Sequence, residues 1–334
     1  MIDADFTVAI SQRNVDDEAI GYITRNGCRV HVLDLPQGQG DDALGEDELA
    51  DALKDCDAWI VGHARVTRSL LVRLPRLRAV CRRGVGHDRV DLAAVRSLGK
   101  VATIAAGGND AAVADHVIGL MLAVSRRHRE CRLRLERADW SIPVGSDLFR
   151  KTVGIVGLGR IGSGVVARLS GFESRLLAVS PSAGASSWAA RGVELVPLER
   201  LLAECDFVSL HLPLTERTRF IVDKDALEAM KPGAILINTA RGGLVDDEAL
   251  LTALRAGRLA GAGLDVFMSE ADPRLAQTTR ELLALPNVVA TSHAAGSTVE
   301  SLKRTNWVAA QCAVGILRGH VLPPGVVVAD GRPP

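Results

Sequence analysis

Lys151-Thr-Val-Gly-Ile-Val-Gly-Leu-Gly-Arg-Ile-Gly162 reads as a short apolar strand that runs into Gly-x-Gly-x-x-Gly at Gly157, Gly159 and Gly162, followed by a helix over Ser163–Leu169. The chemistry behind the pattern is specific. The first glycine permits a tight turn, the second lets the backbone approach a pyrophosphate, and the third allows the helix to pack close to the strand. The helix start then offers unpaired N–H groups and a positive dipole end. A glycine triplet alone is a weak signal, but here strand, turn, helix and next strand come in the order a dinucleotide-binding unit requires. Gly84-Val-Gly86 and Gly261-Ala-Gly263 lack the third glycine and the helix, and read as ordinary turns.

Strand-like runs continue downstream at Arg175–Val179, Phe207–Leu210, Ala234–Ile237, Gly263–Val266 and Val288–Ala290. With Val153–Val156 they make six, the number in a complete dinucleotide-binding unit. Upstream, Phe6–Ile10, Arg29–Leu33, Ala58–Val61, Arg78–Cys81 and Val101–Ile104 alternate with helical patterns, which predicts parallel sheet covered by helices. The expected class is α/β, with doubly wound parallel sheets in two domains, since 334 residues exceed the roughly 100–200 of one domain. Residues 110–130 give the longest helical signal, capped by Asn109 or Asp110 and apolar on nearly every face, so the helix is expected to be buried between domains. The last helical segment, Ser297–Arg318, is placed to return to the first domain and make it discontinuous.

Forty basic and forty acidic residues cancel, so no global field draws the chain to nucleic acid or an anionic membrane. Six scattered cysteines without a C-x-x-C pair argue against both a zinc site and a disulfide framework, and fit a reducing cytoplasm. The acidic start at Met1–Asp5 lacks the pattern of a signal peptide, and no apolar run reaches membrane-spanning length.

Ligands of open α/β sheets bind beyond the carboxyl ends of the strands. Three polar residues stand there: Arg241 after Ile235–Ala240, Glu270 after Leu264–Ser269, and His293 after Val288–Ser292. A hydride added to a ketone leaves an alkoxide that needs a proton, and histidine titrates in the suitable range. Glu270 would orient that imidazole, while Arg241 would bind a carboxylate and polarise the neighbouring carbonyl. Each of the three also has an ordinary reading as a solvated or ion-paired surface group, and His211 follows a strand as well, so position alone does not choose between the two histidines. Where an acid should end the second strand to grip the ribose, the chain has Ser180. This permits NADP, yet no Arg or Lys follows until Arg191 to hold its extra phosphate, so NAD and NADP both stay open.

These segments, with His211-Leu-Pro-Leu-Thr215, Met230-Lys-Pro-Gly233, Asn238-Thr-Ala-Arg-Gly-Gly-Leu-Val-Asp246, Leu264-Asp-Val-Phe267 and Ser292-His-Ala-Ala-Gly296, resemble the D-isomer-specific 2-hydroxyacid dehydrogenase family over nearly the whole chain. The resemblance puts the catalytic Arg, Glu and His on Arg241, Glu270 and His293, with a 2-keto or 2-hydroxy acid as substrate and a D-hydroxy acid as product. It implies two Rossmann-like domains: a flavodoxin-like, discontinuous substrate domain over 1–103 plus 296–334, and a cofactor domain over 104–295. It places Arg160 and Ile161 at the pyrophosphate, Leu212 and Pro213 on the adenosine side, Thr239 and Ala240 on the nicotinamide side, and Asp265 at the carboxamide. Arg83-Gly-Val-Gly86 resembles the family's substrate loop, where the amides of Val85 and Gly86 would bind the carboxylate. His63 and Arg65 would meet the rest of the substrate or simply face solvent. Domain closure would exclude water, and a homodimer is implied; the apolar 113–124 helix would serve as its face or be covered within the chain.

Ser180, Arg89 and Ser292 depart from the family pattern, where Asp, Asn and Pro are usual. Arg65, Arg82 and Arg89 together allow a second anionic group on the substrate. A rival reading is an NAD(H)-sensing corepressor of the same fold, since Ala114-Asp-His116 occurs in that branch too. Glu270 argues against the formate dehydrogenase branch, where Gln is expected. Val85 occupies the stretch where phosphite oxidation would need a lysine.

Overall fold

The computed structural model describes residues 6–11, 15–180 and 184–333; the Met1–Asp5 start and the Pro181-Ser182 that follow Ser180 lie outside them. The chain divides into two compact units, 1–109 with 297–334, and 110–296.

In the first unit the strands are β1 (Phe6–Ile10), β2 (Cys28–Val32), β3 (Ala58–Val61), β4 (Ala79–Arg82) and β5 (Val101–Ile104). The second holds β6 (Thr152–Val156), β7 (Arg175–Val179), β8 (Val193–Leu195), β9 (Phe207–Leu210), β10 (Ile235–Asn238), β11 (Gly261–Leu264) and β12 (Val288–Ala290); β13 (Val327–Asp330) belongs to the first. The first sheet runs β13-β5-β4-β3-β1-β2, parallel except for β13. Its parallel part has the doubly wound 2-1-3-4-5 order of flavodoxin-like sheets. The second runs β12-β11-β10-β9-β6-β7-β8 and is parallel throughout, which is the dinucleotide-binding order with its reversal between β6 and β9.

Helix Val299–Arg318 does return to the first unit. Thr298 caps it through Ser301 N and Gly319 ends it in a left-handed turn, and its Ala309, Ala313, Val314 and Ile316 pack against Val8, Ile10, Ile60 and Cys81. Helix Asp110–Ser125 belongs to the second unit, with Val117, Leu120, Met121 and Val124 packed against Ile155, Ile235 and Ile237. It stops short of residue 130 because Arg127 turns left-handed (φ 55°). Gly261-Ala-Gly263 is strand and not a turn. A Cβ on Gly261 would stand 2.6 Å from Val124 Cγ1, and one on Gly263 3.0 Å from Leu120 Cβ, so both glycines are the price of that helix lying close on the sheet. Among the described residues no helix is long and apolar enough to cross a membrane.

Candidate active site

The glycine turn sits where the strand order reverses. Gly157 has a φ of 107°, in a region only glycine enters freely, and a Cβ there would lie 2.7 Å from His211 O beyond β9. A Cβ on Gly162 would overlap Gly157 O at 2.0 Å, whereas Gly159 has nothing within 4 Å of its Cβ position. The turn is thus tight on the protein side and open on the other. Helix Arg160–Leu169 starts at this open edge with Gly159 as a cap that offers no side chain, leaving its first amides for a ligand. Thr239 Oγ1, past β10, is buried without a hydrogen-bond partner, so an acceptor or donor from outside the chain is expected to meet it. These features fit a bound dinucleotide. Ser180 ends β7 half-buried, and Leu212 and Pro213 follow β9.

Beyond the ends of β10, β11 and β12 the structure brings Arg241, Glu270 and His293 together. Glu270 closes the turn Met268–Glu270; its Oε1 accepts from Phe267 N at 2.8 Å, and its Oε2 lies 2.6 Å from His293 Nδ1. Gly242, next to Arg241, packs on the backbone of Phe267, where a Cβ would come within 2.2 Å, and this joins the β10 and β11 ends. Arg241 is itself fixed by Asn238, whose Nδ2 donates to Arg241 O at 2.8 Å. Burial pushes the Glu270 carboxyl upward, but the bonds from His293 and Phe267 N and the charges of His293 and Arg241 outweigh it, so the group sits below the usual carboxylate range.

His293 adopts a left-handed backbone (φ 54°), a conformation costing a non-glycine residue about 1–3 kcal/mol. Asp265 stabilises it. His293 N donates to Asp265 O at 2.8 Å, and the buried Asp265 carboxylate accepts from Thr291 Oγ1, Ala294 N (2.7 Å) and Ala295 N (3.0 Å). Thr291 Oγ1 in turn meets His116 Nε2 at 2.9 Å. His116, on helix Asp110–Ser125, is therefore part of the loop's support. No sequence signal marks this, because the bond spans 175 residues.

His211 separates clearly from His293. Desolvation pushes its imidazole down to about 4, and its Nε2 is 2.9 Å from Ser209 Oγ, so it is neutral near pH 7. Asp247, also missed, lies buried beneath the Glu270 turn and accepts from Met268 N at 3.0 Å. Burial raises its carboxyl to about 6, with the charges of Asp246 and Glu270 adding and the Met268 bond opposing. The folded state holds this proton more tightly than the unfolded chain, so stability is largest below the ordinary pKa of 3.8 and falls as pH rises through about 6. Two pKa units correspond to about 3 kcal/mol. Asp247→Asn should abolish most of that decline, measured as the difference in urea unfolding free energy between acidic and neutral pH for the two proteins.

In the first unit Val85 and Gly86 follow β4 in the Arg83–Gly86 turn. Arg65 and Arg89 line a cleft of about 260 Å³ with Asp42, Glu46 and Thr67. Arg89 donates to His63 O at 2.9 Å and lies 3.7 Å from Asp42, so the cleft has mixed charge. Arg82 folds over Gly84 instead, its Nη1 3.3 Å from where a Cβ would stand. Among the described residues no group of three or more His, Cys, Asp or Glu side chains is placed to hold a metal.

Residues 118–295, just over half of the chain, match the model of the D-isomer specific 2-hydroxyacid dehydrogenase NAD binding domain. The chain is 39% identical over 287 residues to a D-3-phosphoglycerate dehydrogenase of Mycobacterium leprae, covering 85% of this chain and 53% of that protein. It is 37% identical to a glyoxylate reductase of Korarchaeum cryptofilum, covering 86% and 88%, and 36% identical to a hydroxypyruvate reductase of Thermotoga maritima, covering 78% and 85%. A crystal structure of D-lactate dehydrogenase from Aquifex aeolicus, complexed with NAD and lactic acid, superposes with a TM-score of 0.84 at 27% identity, covering 98% and 100%. The chain spans about half the length of the phosphoglycerate dehydrogenases it matches. This protein belongs to the D-isomer-specific 2-hydroxyacid dehydrogenase family, and its second unit carries the family's NAD-binding domain.

Proposed function

We propose that the protein interconverts a 2-keto acid and a D-2-hydroxy acid with NAD(H) or NADP(H). The observation that carries this reading is the 2.6 Å contact between His293 Nδ1 and Glu270 Oε2, on a loop fixed by Asp265 in the same unit as the glycine turn. When bound, the reduced nicotinamide supplies the hydride to the keto carbon. Glu270, ionised at neutral pH, accepts a hydrogen bond from His293 Nδ1–H and so favours the imidazolium. His293 Nε2 then gives its proton to the carbonyl oxygen as charge develops there, and takes it back in the reverse direction. Arg241 holds the substrate carboxylate and draws electron density from the adjacent carbonyl.

The same reading assigns the pyrophosphate to Gly157, Gly159, Arg160, Ile161 and Gly162, the adenosine side to Ser180, Leu212 and Pro213, and the nicotinamide side to Thr239, Ala240 and Asp265. Val85 and Gly86 would donate amides to the carboxylate, and Arg65 would meet the remainder of the substrate. With Ser180 in place of an acid, nothing at the end of β7 repels a 2′-phosphate, so both cofactors are admitted. A homodimer belongs to the proposal as well: Trp140, Ile142 and Val144 are 82–88% exposed on one stretch of the second unit, an apolar run that a second copy would cover. All six cysteines are free, five of them buried, which suits a reducing cytoplasm.

The test follows nicotinamide absorbance with NADH and then NADPH against a panel of 2-keto acids. Keto-acid-dependent oxidation is expected with at least one cofactor. Tight cofactor binding with no turnover on any acid would replace this reading with a dinucleotide sensor.

A further inference from the structure

At the carboxyl ends of β1, β3 and β4 a buried polar cluster is built on Asp41, in the connection between β2 and helix Glu46–Leu53. Asp41 is fully buried. Its Oδ2 accepts from Ser11 Oγ at 2.7 Å and Gly62 N at 2.6 Å, and its Oδ1 from His63 N at 2.6 Å and Ala64 N at 3.1 Å. Ser11 Oγ also accepts from the indole of the buried Trp59 at 2.7 Å. Arg83, just past β4, is lowered by burial, and the charge of Asp41 opposes that lowering.

Three successive amides on one carboxylate fix the backbone of the turn that follows β3. From the other side Arg89 Nη1 takes His63 O at 2.9 Å, so the turn is held by its N–H groups and by a carbonyl at once. A carboxylate withdrawn from water is costly unless its lone pairs are bonded, and here three backbone amides that bond it belong to one turn at a strand end, where open α/β sheets bind ligands. The turn leads directly into Arg65 and Thr67 in the cleft of about 260 Å³.

We infer that Asp41 is a positioning residue for substrate selection: it sets the Gly62–Ala64 turn, and through it His63 and Arg65, so that the first unit reads the side chain carried beyond the keto carbon. The inference rests on the proposed keto-acid reductase function. It predicts a difference between substrates that a merely structural role would not produce, because a keto acid without a side chain gives this turn nothing to read.

Asp41→Asn keeps the size of the residue but turns an NH2 toward at least one amide donor, so it cannot accept from all four partners. With hydroxypyruvate, kcat/KM is expected to fall at least about tenfold, mainly through KM, while with glyoxylate it stays within about twofold and NADH affinity is unchanged. Equal loss on both acids, or no loss on either, in a folded variant overturns the inference alone. If wild-type protein turns over no 2-keto acid of the panel with either cofactor, the functional reading fails and this inference with it; where it turns over other acids of the panel only, the same ratio is read between the largest and the smallest of those. Should Asp41→Asn not fold, Ser11→Ala, which removes one donor from the same carboxylate, must shift the hydroxypyruvate-to-glyoxylate ratio in the same direction; an unchanged ratio overturns the inference.

Discussion

His293→Ala is expected to lower kcat for keto-acid reduction by about 10²–10⁴-fold while leaving cofactor affinity within about twofold, because the imidazole is the proton donor and makes no contribution to the glycine turn. Single-turnover kinetics with cofactor titration separates the two effects. Glu270→Gln gives a smaller loss with a diagnostic pH signature. The Glu270 carboxyl is held below the usual range, so it stays ionised through neutral pH and its support of the imidazolium is lost only as pH falls through that lowered value. With the charge removed by substitution, the alkaline limb of the kcat/KM profile for reduction moves to lower pH. A variant profile that overlays wild type would show that the 2.6 Å pair does no electrostatic work.

Asp265→Ala carries the second large effect. Its carboxylate is 1% exposed and collects Thr291 Oγ1, Ala294 N and Ala295 N, so its removal leaves the buried Ala295 N and the half-buried Ala294 N unpaired, at about 1–3 kcal/mol for a buried donor. Folding stability should fall by about 3 kcal/mol or more, read as a lower urea midpoint with unchanged slope. Turnover should fall by about a hundredfold, because His293 depends on this clamp for its left-handed backbone. Asp265→Asn, which keeps one acceptor, should lie between. If Asp265→Ala lost stability but kept wild-type kcat, the loop would position His293 without Asp265.

The parts of this molecule that were legible in the sequence are those whose cause is local. The close approach of Gly162 to Gly157 is a contact within six residues, and the left-handed turn at Gly157 is likewise local, although the atom a Cβ there would strike is His211 O beyond β9. Strand-end logic found Arg241, Glu270 and His293 because a parallel sheet delivers its loops to one edge. The same logic left His211 as an alternative, since the desolvation of His211 and the Glu270 partner of His293 are both invisible in a string of letters. Two edge strands, β8 and β13, went unread; each lies at the outer edge of its sheet, and β13 pairs antiparallel across more than 220 residues of chain. Asp41, and the loop-supporting roles of Asp265 and His116, were missed for a related reason. Each acts by hydrogen bonds to residues at least 21 positions away, and nothing in the neighbouring sequence distinguishes a buried Asp that clamps a loop from an exposed one.

The central claim is that a hydride moves from the cofactor to the keto carbon while His293 supplies the proton. The most direct measurement uses NADH deuterated at the transferring position, or the NADPH equivalent, with hydroxypyruvate, and analyses the product by chiral chromatography and mass spectrometry. D-glycerate carrying one deuterium on C2 is expected from wild type, and not from His293→Ala at a comparable rate. Product of the opposite hand, product without the label, or cofactor bound and never consumed would contradict it.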